Sequence, residues 1–251
     1  MSLHGAKKGS GIGIAWNALQ LILATAVSLA ALSDTVTAAE KCAGRETDPD
    51  CALYVIARKC INTELPEYCT TCPFPRTSYC LKATTCEQTT EVWAGSQRYV
   101  AIRDRTMCSC PEVMHGLVMP LGAISGIEDV DRPQGIWKFA WDVANNTGIP
   151  PDQIALIVSS PDHRSQSQLH VHIIPLAPAR AKDLESTPFV EVPDLRNVWV
   201  KAGALGESKA MKPFGVMVHK AGEVWHVHVD NAPLVDTYST LPDCVRPKKK
   251  D

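Results

Sequence analysis

At 251 residues the chain is long enough to bury a sizeable core, and it reads as one main domain with additions. A formal net charge of −2 and a sequence pI near 6.4 give no case for a nucleic-acid-binding surface. The charge run Lys248-Lys249-Lys250 reads as a solvated tail, with a weak attraction to anionic lipid heads as the alternative.

Lys7 and Lys8 precede Gly11 to Leu32, an uncharged run of about 22 residues that can cross a ~30 Å hydrocarbon core as a helix. Positive charge ahead of it favours a cytoplasmic N-terminus and an exported remainder. Val36-Thr37-Ala38-Ala39 offers a signal-peptidase site, so an anchor and a cleaved signal are both open. The run exceeds the ~7–15 residues of a signal core, which favours the anchor.

Ten cysteines follow, nine of them between Cys42 and Cys110, with Cys244 near the end. An even count in an exported chain reads as a disulfide framework. Zinc is the rival, because Cys69-x-x-Cys72 and Cys108-x-Cys110 resemble metal knuckles. The remaining spacings lack paired repeats of that kind, and an oxidising compartment favours disulfides. Spacing leaves their pairing open. Residues 40–95 form this cysteine-rich segment, in which Ala52 to Ile61 reads as a short helix.

From Arg98 the texture changes. Tyr99 to Ile102 reads as a strand and Gly116 to Pro120 as its hairpin partner. Ile136 to Asn145 has helical spacing of apolar residues, ended by Gly148, Pro150 and Pro151. Ile154 to Ser159 reads as a buried strand. After a polar loop, Gln168 to Ile174 alternates polar and aliphatic residues as a second strand, with Gln168, His170 and His172 on one face. Residues 180–210 read as a looser connection with one strand near Trp199. Phe214 to His219 and Glu223 to Val229 form a last hairpin around Ala221-Gly222. This order predicts an α+β fold with a mostly antiparallel sheet over 96–245, after a 1–39 membrane segment and before a 246–251 basic tail.

The chemistry concentrates at the polar loop and its following strand. Ser159-Ser160-Pro161-Asp162-His163-Arg164-Ser165-Gln166-Ser167 sets a guanidinium, hydroxyls and amides beside two strand histidines. Those donors suit a phosphate on which negative charge builds. A neutral imidazole can attack phosphorus and split one hard displacement into two easier ones. The bland reading is a solvent-facing polar row, and His-x-His is also a possible metal half-site.

Arg164-Ser165-Gln166-Ser167-Gln168-Leu169-His170-Val171-His172 resembles the active-site strand of the histidine-triad superfamily. More closely, it is similar to the bacterial CDP-diacylglycerol pyrophosphatase family, whose members carry Arg-Ser/Thr-Gln-x-x-hydrophobic-His-hydrophobic-His. Leu117-Val118-Met119-Pro120, Ile124-Ser125-Gly126-Ile127-Glu128, Phe139-Ala140-Trp141 and Phe214 to Val218 match further family stretches in the same order. The resemblance covers about 97–245 and implies a histidine-triad-like fold. It also implies hydrolysis of CDP-diacylglycerol to CMP and phosphatidate, with no cofactor and no obligatory metal. His170 is then the nucleophile that carries a nucleotidyl intermediate, His172 orients or polarises the phosphate, and Gln168 takes the first triad place. Arg164, Ser165, Gln166 and Ser159 are implied phosphate-binding residues. The implied partner is a bilayer lipid, met by a single-pass inner-membrane enzyme facing the periplasm, or by a secreted or periplasmic form after signal cleavage. Hydrolysis or transfer on soluble nucleotide conjugates and a non-catalytic, disulfide-rich binding module are the alternatives.

The other histidines read as less specific. His226-x-His228 reads as surface, with a four-histidine metal site including His170 and His172 as its alternative. His115 and His219 read as ordinary strand-end residues, and Glu128 as either a family position or a salt-bridge partner. Trp137 and Trp141 read as packing residues.

Overall fold

The computed structural model describes residues 38–45, 48–60, 92–104 and 114–240. The apolar run Gly11 to Leu32, the cysteines from Cys69 to Cys86, Cys108, Cys110, Cys244 and the basic tail lie outside them. Among the described residues no helix is long and apolar enough to cross a membrane.

Among the described residues eight strands form one sheet: β1 (Val92–Gly95), β2 (Tyr99–Arg103), β3 (Gly116–Pro120), β4 (Ile154–Val158), β5 (Val171–Pro175), β6 (Val190–Val192), β7 (Gly215–Ala221) and β8 (Val224–Asp230). Their order is β1-β2-β3-β5-β4-β7-β8-β6, and every pairing is antiparallel. The fold is therefore α+β with an antiparallel sheet.

Period-two alternation explains how this sheet carries a core on each face. Ile154, Leu156 and Val158 of β4 join the main cluster with Val171 and Ile173 of β5. Ala155 and Ile157 point the other way, beside Ile174 and Met217. Helix α3 (Ile136–Ala144) covers the first face. It buries Ile136, Trp137, Ala140 and Trp141, while Lys138 and Asp142 pair on its exposed side at 2.6 Å. Its last carbonyls are capped by Asn145, whose Nδ2 donates to Trp141 O, and by Thr147, whose Oγ1 donates to Ala144 O. Both tryptophans are core residues.

Three expectations are corrected here. Trp199 lies on a helix, α5 (Val198–Ser208), and not on a strand. Val198, Trp199, Ala202 and Gly206 fall on one helical face and are buried, with Trp199 edge-on to Trp137 at 4.8 Å. The segment 180–210 also holds α4 (Pro178–Ser186) and β6, so it is ordered connection. The strand expected from Gln168 begins at Val171, because the backbone of 168–170 serves loop contacts instead of the ladder.

On the second face, α4 and α6 (Leu234–Tyr238) cover the β4–β7 side through Leu184, Leu234 and Tyr238. A helical run covers the β2–β3 side. It begins as a 3-10 turn at Pro49–Cys51, continues as α2 (Ala52–Val55), and widens to a π turn at Ile56–Cys60. Leu53, Ile56 and Ala57 pack on Val100, Ile102, Leu117 and Met119. A disulfide joins Cys42, on α1 (Ala38–Cys42), to Cys51.

Candidate active site

The loop between β4 and β5 is tied down along its length. Ser167 N donates to Asp50 O and Leu169 N to Ile124 O. The Gln166 carboxamide bridges to the helical run, accepting from Leu53 N and donating to Pro49 O, both at 2.9 Å. Gln168 is buried, and its Nε2 donates to Pro120 O at 2.9 Å and Gly122 O at 2.7 Å. Both amide nitrogens thus donate to backbone carbonyls. Satisfying buried carbonyls and N–H groups in this way fixes the loop.

Arg164 pairs with Glu128 through two contacts, Nη2 to Oε1 at 2.5 Å and Nη1 to Oε2 at 2.8 Å. The bidentate fork orients the guanidinium and makes Glu128 a salt-bridge partner. A Cβ on Gly126 would stand 1.8 Å from Arg164 Nη1, so any larger residue there has to displace the pair. Gly215 plays a similar part: a Cβ there would lie 2.8 Å from Val158 O and 3.0 Å from Ser160 N. Its absence lets β7 close on the start of the loop.

A cleft of about 110 Å³ opens over this frame, lined by Ser159, His163, Arg164, Ser165, His170 and His172, with Pro233, Val235 and Asp236 on the far side. The structure therefore brings together six groups from the loop and strand, while Gln166 and Gln168 lie outside the lining. The His170 and His172 rings stand edge-to-face at 4.7 Å.

A hydrogen bond to a carbonyl defines the state of the His170 imidazole. His170 Nδ1 lies 2.8 Å from Gln168 O. A carbonyl only accepts, so Nδ1 carries the proton and Nε2 keeps its lone pair. His170 is 7% exposed, and burial lowers its pKa below the usual imidazole value, partly offset by that carbonyl. Burial holds the His172 pKa well below the ordinary range, with His170 and His115 adding to the effect.

His115 is the residue that sequence reasoning missed. It is buried, not an ordinary strand end, and its Nε2 lies 2.9 Å from His172 Nδ1. Its Nδ1 faces Asp104 Oδ2 at 3.5 Å. With the His115 proton directed at the carboxylate, Nε2 accepts from His172 Nδ1–H, leaving His172 Nε2 as an acceptor. Burial lowers the His115 pKa, and the Asp104 carboxylate opposes that shift. No local pattern signals the contact, since His115 and His172 are 57 residues apart.

A family model described as CDP-diacylglycerol pyrophosphatase matches residues 77–205, just over half of the chain and all of the cleft's histidines. The chain belongs to the CDP-diacylglycerol pyrophosphatase family. Membership makes it a hydrolase, and the family's reaction is hydrolysis of the CDP-diacylglycerol pyrophosphate bond. No curated protein matches the chain.

A second histidine cluster lies beyond the matched stretch. His228 is 2% exposed, which corrects the surface reading, and its Nε2 stands 3.2 Å from His219 Nε2. Burial, then His226, pushes the His219 pKa down to about 4. Burial, then His219, His226 and Lys209, pushes that of His228 to about 3.

Proposed function

We propose that this protein hydrolyses CDP-diacylglycerol by covalent catalysis at His170, and that it does so at a membrane surface on the exported side. The observation that carries the reading is the His170 Nδ1 contact to Gln168 O, which directs a neutral Nε2 lone pair toward the cleft. That nitrogen attacks the phosphorus bearing the cytidine. The bond from that phosphorus to the bridging oxygen breaks, and phosphatidate departs. Water then attacks the nucleotidyl-histidine, breaks the P–N bond and releases CMP.

Arg164, Ser165 and Ser159 hold non-bridging oxygens as negative charge spreads over them. Glu128 fixes the Arg164 fork, so this cation is oriented before substrate arrives. His172, buttressed by His115 and Asp104, orients the phosphate beside the nucleophile. Gln168 and Gln166 act through position: one supplies the carbonyl that sets the His170 tautomer, and the other braces the loop on the helical run. The antiparallel sheet with an active-site strand entering from a donor-rich loop supports a histidine-triad-like domain.

The export reading rests on the charged-then-apolar N-terminus and on the Cys42–Cys51 disulfide, which suits an oxidising compartment. An anchor places the enzyme where a diacyl substrate arrives by lateral diffusion. The test is turnover of purified protein on CDP-diacylglycerol and on a water-soluble CDP-alcohol, with wild type and His170→Ala. The lipid is expected to be preferred and the variant inactive. Equal or better turnover of the soluble compound would redirect the substrate assignment. Loss of wild-type activity in EDTA, below the unfolding temperature, would favour a metal mechanism.

A further inference from the structure

The β6–β8–β7 edge of the sheet carries a constellation that the hydrolytic cleft does not use. Register sets Glu191 opposite His226 and His226 opposite His219, so a carboxylate and two imidazoles form a row across three strands. His228 lies two residues beyond His226 on the same strand face. One nitrogen from each of the three histidines lies within 4.8 Å of the others. His226 Nε2 is 3.6 Å from Glu191 Oε1. Phe189 lays its ring on His226, with centroids 3.8 Å apart and planes 11° from parallel.

We propose that His219, His226 and His228, with Glu191 as fourth ligand, bind a divalent transition-metal cation of the zinc class. Zinc–nitrogen bonds of ~2.0–2.1 Å in a tetrahedron set neighbouring nitrogens about 3.3 Å apart. His219 and His228 Nε2 already stand at 3.2 Å. Three imidazoles and one carboxylate suit zinc or a similar ion, whereas magnesium and calcium take oxygen ligands. Backbone groups of Lys220 and Pro188 hydrogen-bond His219 and His228, and side-chain partners within the cluster are few. His219 and His228 share one contact, and His226 has only a carboxylate beyond normal hydrogen-bond distance.

The Asp104–His115–His172 chain is built differently. There the two imidazoles pair at 2.9 Å, and His115 turns one nitrogen to each neighbour. Its ligand atoms also lie within 4.8 Å of one another, but the His115–His172 pair is already closed by a hydrogen bond of ordinary length. The two clusters are also separate: His172, Ile157, Met217 and His228 are successive cross-strand partners. Three strand spacings of ~4.8 Å put the two histidines roughly 14 Å apart. A cation at the edge therefore staples β6, only three residues long, to β8 and stays clear of the phosphate chemistry.

The experiment uses the untagged, full-length chain, stripped with chelator and titrated with Co²⁺, whose tetrahedral complexes absorb strongly in the visible. One equivalent is expected to give that band, and Zn²⁺ to displace it. His226→Ala and His228→Ala should abolish the band. Glu191→Gln should weaken binding at least about tenfold, since loss of a carboxylate that only supports a ligand already does so elsewhere. His115→Gln should leave it intact. Zn²⁺ should raise the wild-type Tm but not that of His226→Ala, a half-buried position that keeps the test valid if His228→Ala does not fold. The proposal is overturned if wild type gives no visible band, or if the band survives in His226→Ala. It is equally overturned if His115→Gln removes the band, or if a thiolate charge-transfer band places the metal on cysteine.

Discussion

Gly126→Ala tests whether the Arg164–Glu128 fork is what prepares the cleft. The new Cβ would stand 1.8 Å from Arg164 Nη1 and 2.6 Å from Glu128 Oε2. Reaching an ordinary 3.4 Å contact requires Nη1 to retreat by about 1.6 Å. A bond that begins at 2.8 Å does not survive that displacement unless Glu128 follows, and the same Cβ drives Glu128 away. Losing charge-assisted hydrogen bonds at a largely buried guanidinium costs about 1.5–3 kcal/mol. Urea denaturation should therefore show a lower midpoint at unchanged m-value, and KM for CDP-diacylglycerol should rise as the oriented cation is lost. Glu128→Gln, which keeps the glycine, should reproduce the KM effect in milder form. Wild-type stability together with wild-type KM in Gly126→Ala would refute the reasoning, because the fork would then tolerate a side chain beneath it.

Three further outcomes follow from the same geometry. His170, His172 and His115 all have depressed folded-state pKa values, so below 6.5 the unfolded chain takes up protons that the folded chain refuses. Their contribution to stability is complete above 6.5 and declines as pH falls toward the folded values. A Tm series across pH 5 to 7.5 should rise and then level, and a flat or inverted series would contradict it. The pH–rate profile should keep the neutral nucleophile active below 6.5, with an acid limb at a lower pH than free imidazole gives. Cys42→Ser/Cys51→Ser opens a bridge of sequence separation 9, and the loss should be about 2–3 kcal/mol. Proteolysis near Gln166 should then increase, because the run that receives its amide is loosened.

The sequence was most legible where one period dominates. Gly116–Pro120 follows from a short apolar run and the Ala221-Gly222 hairpin from its turn residues, with Gly222 at φ +60. Ile136–Ala144 follows from apolar spacing. Trp199 misled because Val198 and Val200 flank it with β-branched side chains, while the helical partners Ala202 and Gly206 are small and carry little hydrophobic signal. The motif singles out Gln166 and Gln168, but their bonding partners lie 117 and 46–48 residues away. Loop closure sets such contacts and no local pattern announces them. The same holds for Asp104 and His115 behind His172, and for His219 joining His226 and His228 across a hairpin.

The central claim is that His170 becomes covalently nucleotidylated, and rapid acid-free quench of the enzyme with CDP-diacylglycerol labelled in the cytidylyl phosphate tests it most directly. Label should appear on a peptide containing His170, chase into CMP on addition of unlabelled substrate, and be absent from His170→Ala. Full lipid turnover by His170→Ala, or label retained on another residue, would contradict the account.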